Sequence, residues 1–302
     1  MKSQDYSLGF IGLGRMGREI LPRIHSLFPV RAVYNRTRSV CSKLHLEGIT
    51  CASTPSELAE TCNIIFLSVT DTEAVESILF GDNGASKHPR SGLIIVDLST
   101  ISLEGTLRIQ ERLARSVIKY LDSPVIGSVG AAKSGTLTSV CGGEESAFNL
   151  VRPLLTSFSN KIFYLGASGN GIRMKLINNA VMGINMSAIA EALNLSSSVG
   201  LSKSKIMEVL LTGGASSRIL ELKRDKIERG DFFPEFSLEH QLKDLRYAVE
   251  MARNAGLNPA ISTAAEKLYA AAAKEGLGKE DMSAVASGGG AGAAKPYKEG
   301  RI

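Results

Sequence analysis

Tryptophan is absent from the 302 residues, aromatic side chains make up only 6%, and histidine and cysteine occur four times each. Cys41, Cys51, Cys62 and Cys141 form no C-x-x-C pair and stand near no histidine at ligand spacing, so zinc sites and a disulfide framework are excluded and free thiols are expected. No apolar run approaches the roughly 20 residues that a membrane-spanning helix needs. The most apolar stretches, Ile64 to Val69 and Leu93 to Val96, read as buried strands. The opening MKSQDYSLGF lacks the apolar core and small-residue cleavage site of a signal peptide, so a cytoplasmic location is expected. A large charge excess is also missing. Thirty-five basic against thirty acidic side chains give +5, which argues against a nucleic-acid partner and suits an anionic small molecule.

What is present is a soluble globular composition, 44% hydrophobic and 22% charged, long enough for about two domains. From residue 7 to 166 apolar runs alternate with helical patterns. LGFIG precedes a helix over 17–28, RAVYN one over 39–47, NIIFLSV one over 72–79 and GLIIVDLS one over 102–115. That alternation predicts an α/β unit, a parallel sheet with crossover helices. Three further strands, at 118–122, 136–141 and 161–165, with a helix over 144–158, are expected to extend the same sheet. After Gly166 the β pattern stops. Residues 167–286 read as helices throughout: a long one over 170–199, then 203–211, 216–229, 237–255, 259–275 and 279–286. With GLGRMG at 12–17 between the first strand and the first helix, the expected organisation is an N-terminal dinucleotide-binding Rossmann domain over 1–166, an all-helical C-terminal domain over 167–286 and a flexible, Gly/Ala-rich tail over 287–302.

In the long helix Ile177, Val181, Ile184, Ala188, Leu195 and Val199 form one apolar stripe, and Ala180, Gly183, Ser187 and Ala190 form a second stripe of small residues. Both call for partners. The helical domain is therefore expected to build a homodimer or homotetramer.

The strongest motif is GLGRMG at 12–17, directly after a strand and directly before a helix. Gly12 allows the tight turn, Gly14 lets the backbone approach a pyrophosphate and Gly17 permits close helix–strand packing. Leu13, Arg15 and Met16 in the same loop, and Val69 and Thr70 beyond a neighbouring strand, are expected to border the cofactor. About twenty residues on, where an NAD-binding unit carries an acid, this chain has Asn35, Arg36 and Thr37. An arginine fork in place of an acid favours a ribose 2′-phosphate, hence NADP(H) over NAD(H). In GNGIRMKLINN at 169–179, Lys175 and Asn179 lie four apart on one helical face. Taken alone, such a pair is an ordinary solvated helix edge.

Four segments in order, GLGRMG at 12–17, DSPVIGSVGAAKSGTL at 122–137, GNGIRMKLINN at 169–179 and QLKDLRYAVEMA at 241–252, resemble the β-hydroxyacid dehydrogenase family. Within that family the pattern is similar to 3-hydroxyisobutyrate dehydrogenases and, above all, to glyoxylate/succinic semialdehyde reductases. The resemblance spans about residues 8–286. It implies an NADP(H)-dependent oxidoreductase moving a hydride between nicotinamide and a small hydroxyacid or semialdehyde. It also implies Lys175 as general acid/base and Asn179 as its substrate-holding partner. Thr100 then lies near nicotinamide and substrate, Lys243 near the cofactor, and Phe236 and Asp244 near the substrate.

The family's substrate loop usually reads Pro-Val-Ser-Gly, whereas here Pro124 and Val125 are followed by Ile126, Gly127 and Ser128. Ile126 removes the serine hydroxyl that binds a substrate carboxylate, and leaves Ser128 and the backbone near Gly127 as donors. A lysine with the ordinary pKa of about 10.4 is a ready acid and a poor base at neutral pH, so aldehyde reduction is the easier direction unless burial or Lys243 lowers it. Imine reductases share the architecture, but the resemblance implies that they usually lack this lysine. A cofactor-binding scaffold without catalysis is the other alternative, and Lys175 with Asn179 argues against it.

Overall fold

The computed structural model describes residues 6–44 and 46–287. Contacts within the chain divide it into two units, Met1–Lys175 and Leu176–Ile302. The stretch 288–302, most of the expected tail, lies outside the described residues.

In the first unit, β1 (Leu8–Ile11), β2 (Val30–Tyr34), β3 (Thr50–Cys51), β4 (Ile64–Leu67), β5 (Ile94–Asp97) and β6 (Lys119–Asp122) form one parallel sheet in the order β3-β2-β1-β4-β5-β6. Every residue of β1, β4 and β5 is buried, because a parallel sheet is covered by helices on both faces and its strands are continuously apolar. The crossovers are α1 (Arg15–Leu27), α2 (Arg38–Cys41), α3 (Pro55–Thr61), α4 (Thr72–Phe80) and α5 (Leu103–Leu113). Helix α3 starts as its sequence dictates. Thr54 accepts from the Glu57 amide, Glu57 reaches back to the Ser53 amide, and Pro55 fills the first position, where no amide is needed. At α4 the cap is Asp71, which accepts from Ala74 N at 2.8 Å, and Thr72 is the first helical residue.

Three expectations are corrected here. The helix expected over 39–47 ends at Cys41, because Leu44, Leu46 and Ile49 turn inward to pack on the core at a spacing that no helix face can satisfy. Edge strand β3 follows, too short to show as a pattern. The strands after β6 do not extend the parallel sheet. Instead β7 (Val125–Ile126), β8 (Leu137–Cys141) and β9 (Ser159–Tyr164) make a second sheet, with β7 antiparallel and β9 parallel to β8. Ser123 N still donates to Asp97 O, and beyond it the chain leaves β5 for β8, where Val140 N donates to Pro124 O. Helices α6 (Val129–Ser134) and α7 (Glu145–Leu155) connect these strands.

The second unit is helical: most of α8 (Asn170–Ser198), then α9 (Lys203–Leu210), α10 (Arg218–Arg229), α11 (Leu238–Asn254) and α12 (Ala260–Lys274). The helix expected over 279–286 is replaced by two 3₁₀ turns, Leu277–Lys279 and Met282–Ser287. Asp281 separates them, its carboxylate taking the amide and hydroxyl of Ser283 and the ammonium of the buried Lys223 at 2.9 Å. The small-residue stripe of α8 finds its partner in α11. A Cβ at Gly183 would press on the ends of the Gln241 and Leu245 side chains, so the two helices approach closely at that point. Of the apolar stripe, Ile184 packs on the helical core, whereas four other members stay open among the described residues. Ile177, Val181, Leu195 and Val199 are 51%, 52%, 63% and 58% exposed.

Candidate active site

The sheet order reverses between β1 and β4, and ligands of open α/β sheets lie beyond the carboxyl ends of the strands at such a point. Three loops leave there: 12–17 after β1, 68–71 after β4 and 98–101 after β5. In the first, Gly12 has φ +97°, and a Cβ would collide with the Ser68 carbonyl; at Gly17 it would collide with the Gly12 carbonyl. At Gly14 a Cβ meets nothing within 4 Å. Two of the three glycines are therefore required by packing, and the third leaves an open cradle at the start of α1. That helix begins without a side-chain cap bond and without an acid in its first turn, so its leading amides and partial positive charge suit a pyrophosphate. Residues 12–17 fit a dinucleotide.

Asn35 closes the loop from the side. Its Oδ1 accepts from Leu13 N at 2.9 Å and its Nδ2 donates to Thr37 O at 3.1 Å. Arg36 and Thr37 beside it are exposed, and Thr37 starts α2 without a side-chain cap bond. The neighbouring loops are tied together by a residue that the motifs did not single out. Ser99 Oγ accepts from Val69 N at 2.9 Å, and Ser99 N donates to Asp97 Oδ1 at 2.9 Å. Asp97 also receives the Tyr120 hydroxyl at 2.7 Å. Burial outweighs these donors and raises the Asp97 carboxyl to about 6. Thr100 is the residue after Ser99 and is half-buried, so Asp97 and Ser99 set the path of the backbone on which it stands.

The loop at 124–128, expected to meet the substrate, lies on the second sheet. Ile126 is half-buried and pairs with Thr138 across β7 and β8. Gly127 has φ +137°, and a Cβ there would stand 2.6 Å from Leu137. Ser128 caps α6, accepting from Ala131 N at 3.4 Å. Lys175 belongs to the same unit. Its side chain is buried, 9% exposed, and Nζ donates to Val125 O at 2.8 Å, one residue before Ile126. The ammonium is thereby fixed at the edge of the 126–128 loop, 50 residues away in sequence.

One turn on along α8, Asn179 is buried in the second unit with both ends of its amide engaged. Nδ2 donates to Asp244 Oδ2 at 2.6 Å, and Oδ1 accepts from Asn178 Nδ2 at 2.9 Å. Asp244 is buried, with Lys243 Nζ on its other oxygen at 2.8 Å. Gln241, which no motif marks as functional, donates to Asn179 O at 2.9 Å and holds the helix backbone at that point. Asn179, Lys243 and Asp244 thus form one network. Phe236 is half-buried and stacks on His240 with centroids 6.1 Å apart. Among the described residues no cluster of three His, Cys, Asp or Glu side chains is arranged for a metal, and no helix is long and apolar enough to cross a membrane.

Comparison with known proteins agrees with this layout. Residues 7–166 match the NAD binding domain of 6-phosphogluconate dehydrogenase, and 169–287 match the NAD-binding domain of NADP-dependent 3-hydroxyisobutyrate dehydrogenase. The chain is 33% identical to glyoxylate/succinic semialdehyde reductase 2, chloroplastic, of Arabidopsis thaliana, over 92% of this chain and 78% of the relative. It is 34% identical to 2-hydroxy-3-oxopropionate reductase of Escherichia coli K12, over 92% of this chain and 95% of that one. Among solved structures, Mycobacterium tuberculosis 3-hydroxyisobutyrate dehydrogenase superposes with a TM-score of 0.83 at 25% identity, covering 94% and 99% of the two chains. With a glycine loop that fits a dinucleotide at the switch point, a buried lysine bonded to Val125 O and matches along nearly its whole length, this chain belongs to the β-hydroxyacid dehydrogenase family of NAD(P)-dependent oxidoreductases acting on CH–OH groups.

Proposed function

We propose that the protein is an NADP(H)-dependent reductase of a small semialdehyde or oxoacid, with Lys175 as the general acid. The observation that carries this reading is the bond from Lys175 Nζ to Val125 O. It holds an ammonium beside the loop that the family uses for substrate. The nicotinamide supplies the hydride when bound. The chain's own residues do the rest. Lys175 gives its proton to the carbonyl oxygen as the alkoxide forms, and recovers it in the reverse direction. The family resemblance assigns Asn179 to hold substrate, Thr100, Gly127 and Ser128 to border it, Phe236 and Asp244 to its neighbourhood and Lys243 to the cofactor. The names of the relatives set the first substrates to try. NADPH oxidation should be followed with glyoxylate, succinic semialdehyde and 2-hydroxy-3-oxopropionate, with cyclic imines alongside. Turnover of an aldehyde is expected, while turnover confined to imines, or none at all, contradicts the reading.

The cofactor preference rests on Arg36. A hydrogen bond to a charged group is worth about 1.5–3 kcal/mol, roughly tenfold or more in affinity. Arg36→Ala is expected to raise the KM for NADPH at least about tenfold and to leave that for NADH within about twofold. Equal use of the two cofactors by the unmodified protein contradicts this assignment.

The exposed stripe of α8 is proposed as the contact with a second copy. Ile177 with Val181 and Leu195 with Val199 make two apolar pairs, each side chain at least half exposed, on one face of a 29-residue helix, and exposed apolar patches mark interaction surfaces. Sedimentation is expected to show a species larger than 32.2 kDa, and Val181→Asp to shift it toward the monomer. A wild-type protein that sediments only as a monomer at micromolar concentration removes the proposal.

A further inference from the structure

The Gly-Asn-Gly sequence at 169–171 has no part in the cofactor loop, and the reason for it lies at Asp122. This residue ends β6 and is 1% exposed. Its backbone is bonded in both directions to Gly142, at 3.1 and 2.8 Å. Its carboxylate takes three donors from the start of α8. Oδ1 accepts from Gly169 N at 2.7 Å and from Ser168 Oγ at 3.3 Å, and Oδ2 accepts from Ile172 N at 3.0 Å. A helix leaves its first amides without intrahelical partners. Here a buried anion from another segment satisfies two of the amides at that end, where the helix dipole also favours negative charge.

The glycines make this docking physically allowed. A Cβ at Gly171 would lie 2.5 Å from the carbonyls of Asp122 and Val140, and one at Gly142 would lie 2.9 Å from Asp122 Oδ1. Gly169 has φ +86°, the left-handed turn from which the helix enters. The helix start is therefore seated directly on the strand ends, with no side chain between.

The two bonds that matter are three residues apart on both sides. Ile172 N meets the Asp122 carboxylate, and Lys175 Nζ meets Val125 O. Asp122 to Val125 and Ile172 to Lys175 are thus two short segments pinned to each other at each end. A slip of one residue along α8 would move Lys175 by 1.5 Å and rotate it by about 100°, and a displacement of about 1 Å at a catalytic group costs about 10²-fold in rate. We propose that Asp122 is a positioning residue, fixing the first turn of α8 through Gly169 N and Ile172 N so that the Lys175 ammonium is held at the substrate loop. This rests on the assignment of Lys175 as general acid.

The test is a cycle of four proteins: wild type, Asp122→Asn, Lys175→Ala and the double variant, with Asp122→Ala as a harsher single change. Asparagine keeps the shape and one acceptor but presents an NH₂ group to one of the two amides. For each protein, kcat and KM for the best aldehyde, Kd for NADPH and hydrogen exchange of the peptide covering 169–175 are measured. In the Asp122→Asn protein, kcat is expected to fall 10- to 100-fold, with KM and the NADPH Kd within about threefold. Amide exchange at 169–175 should rise while the rest of the chain stays protected. Asp122→Ala, if it folds, should lose more.

In the Lys175→Ala background the Asp122 substitution should change kcat by less than threefold, because a residue that acts through Lys175 has nothing left to position. Full multiplication of the two losses, or a wild-type kcat in Asp122→Asn, overturns the inference. A Lys175→Ala protein that keeps its rate overturns instead the assignment on which it rests.

Discussion

Lys175→Ala is expected to lower kcat for aldehyde reduction by 10²- to 10⁴-fold, the range for proton transfer by a positioned side chain, while the Kd for NADPH stays within about twofold. The expectation comes from placement. The ammonium is buried and donates to Val125 O, and its proton has no role in cofactor binding at the glycine loop. Truncation also leaves the Val125 carbonyl short of a partner, which costs about 1–3 kcal/mol of stability. Rates must therefore be compared per folded molecule, below the lower of the two melting temperatures. Lys175→Arg distinguishes charge from acidity. It keeps a cation near Val125, but guanidinium does not release its proton in a protein, so it should remain as slow as the alanine variant. A rate within threefold of wild type for Lys175→Ala removes the acid from the mechanism.

The second large effect concerns Ile126. This residue follows the carbonyl that holds the lysine, and it is half-buried. A serine there would offer a hydroxyl to a substrate carboxylate, an interaction of about 1.5–3 kcal/mol. Ile126→Ser is therefore expected to raise kcat/KM for glyoxylate or succinic semialdehyde at least about tenfold. An aldehyde with an apolar group at that place should respond in the opposite direction, since the new hydroxyl would face a partner with which it cannot bond. Steady-state kinetics with one substrate of each kind checks both signs. A parallel response, or none, makes Ile126 a packing residue without influence on specificity.

Much of this arrangement is written locally. The alternation of apolar runs and helical patterns up to Gly166 predicts the strands of the first sheet, most plainly β1, β4 and β5, because strands buried on both faces are continuously apolar. GLGRMG declares its turn because glycine is required there by backbone collisions at Gly12 and Gly17. Lys175 and Asn179 are legible as a pair because four residues make one helical turn. What does not show is written in contacts between distant segments. Strands β7, β8 and β9 have ordinary strand composition, and their departure into a second sheet depends on pairing partners up to 23 residues apart. Asp122 looks like any aspartate at a strand end. Its value lies in two amides about 50 residues later, and no periodicity reports such a meeting. Ser99 and Gln241 are invisible for the same reason, since each serves a backbone group in another element.

In the proposed reaction, hydride passes from the nicotinamide to a carbonyl carbon and Lys175 supplies the proton. It is tested most directly by incubating the protein with C4-deuterated NADPH, of each stereochemistry in turn, and a short semialdehyde, and by locating the label in the product by mass spectrometry and NMR. The account predicts a hydroxyacid with one deuterium on the carbinol carbon from one of the two cofactors and none from the other, and almost no product from Lys175→Ala in the same time. Unlabelled product from both cofactors, or labelled product formed equally fast without the lysine, would contradict it.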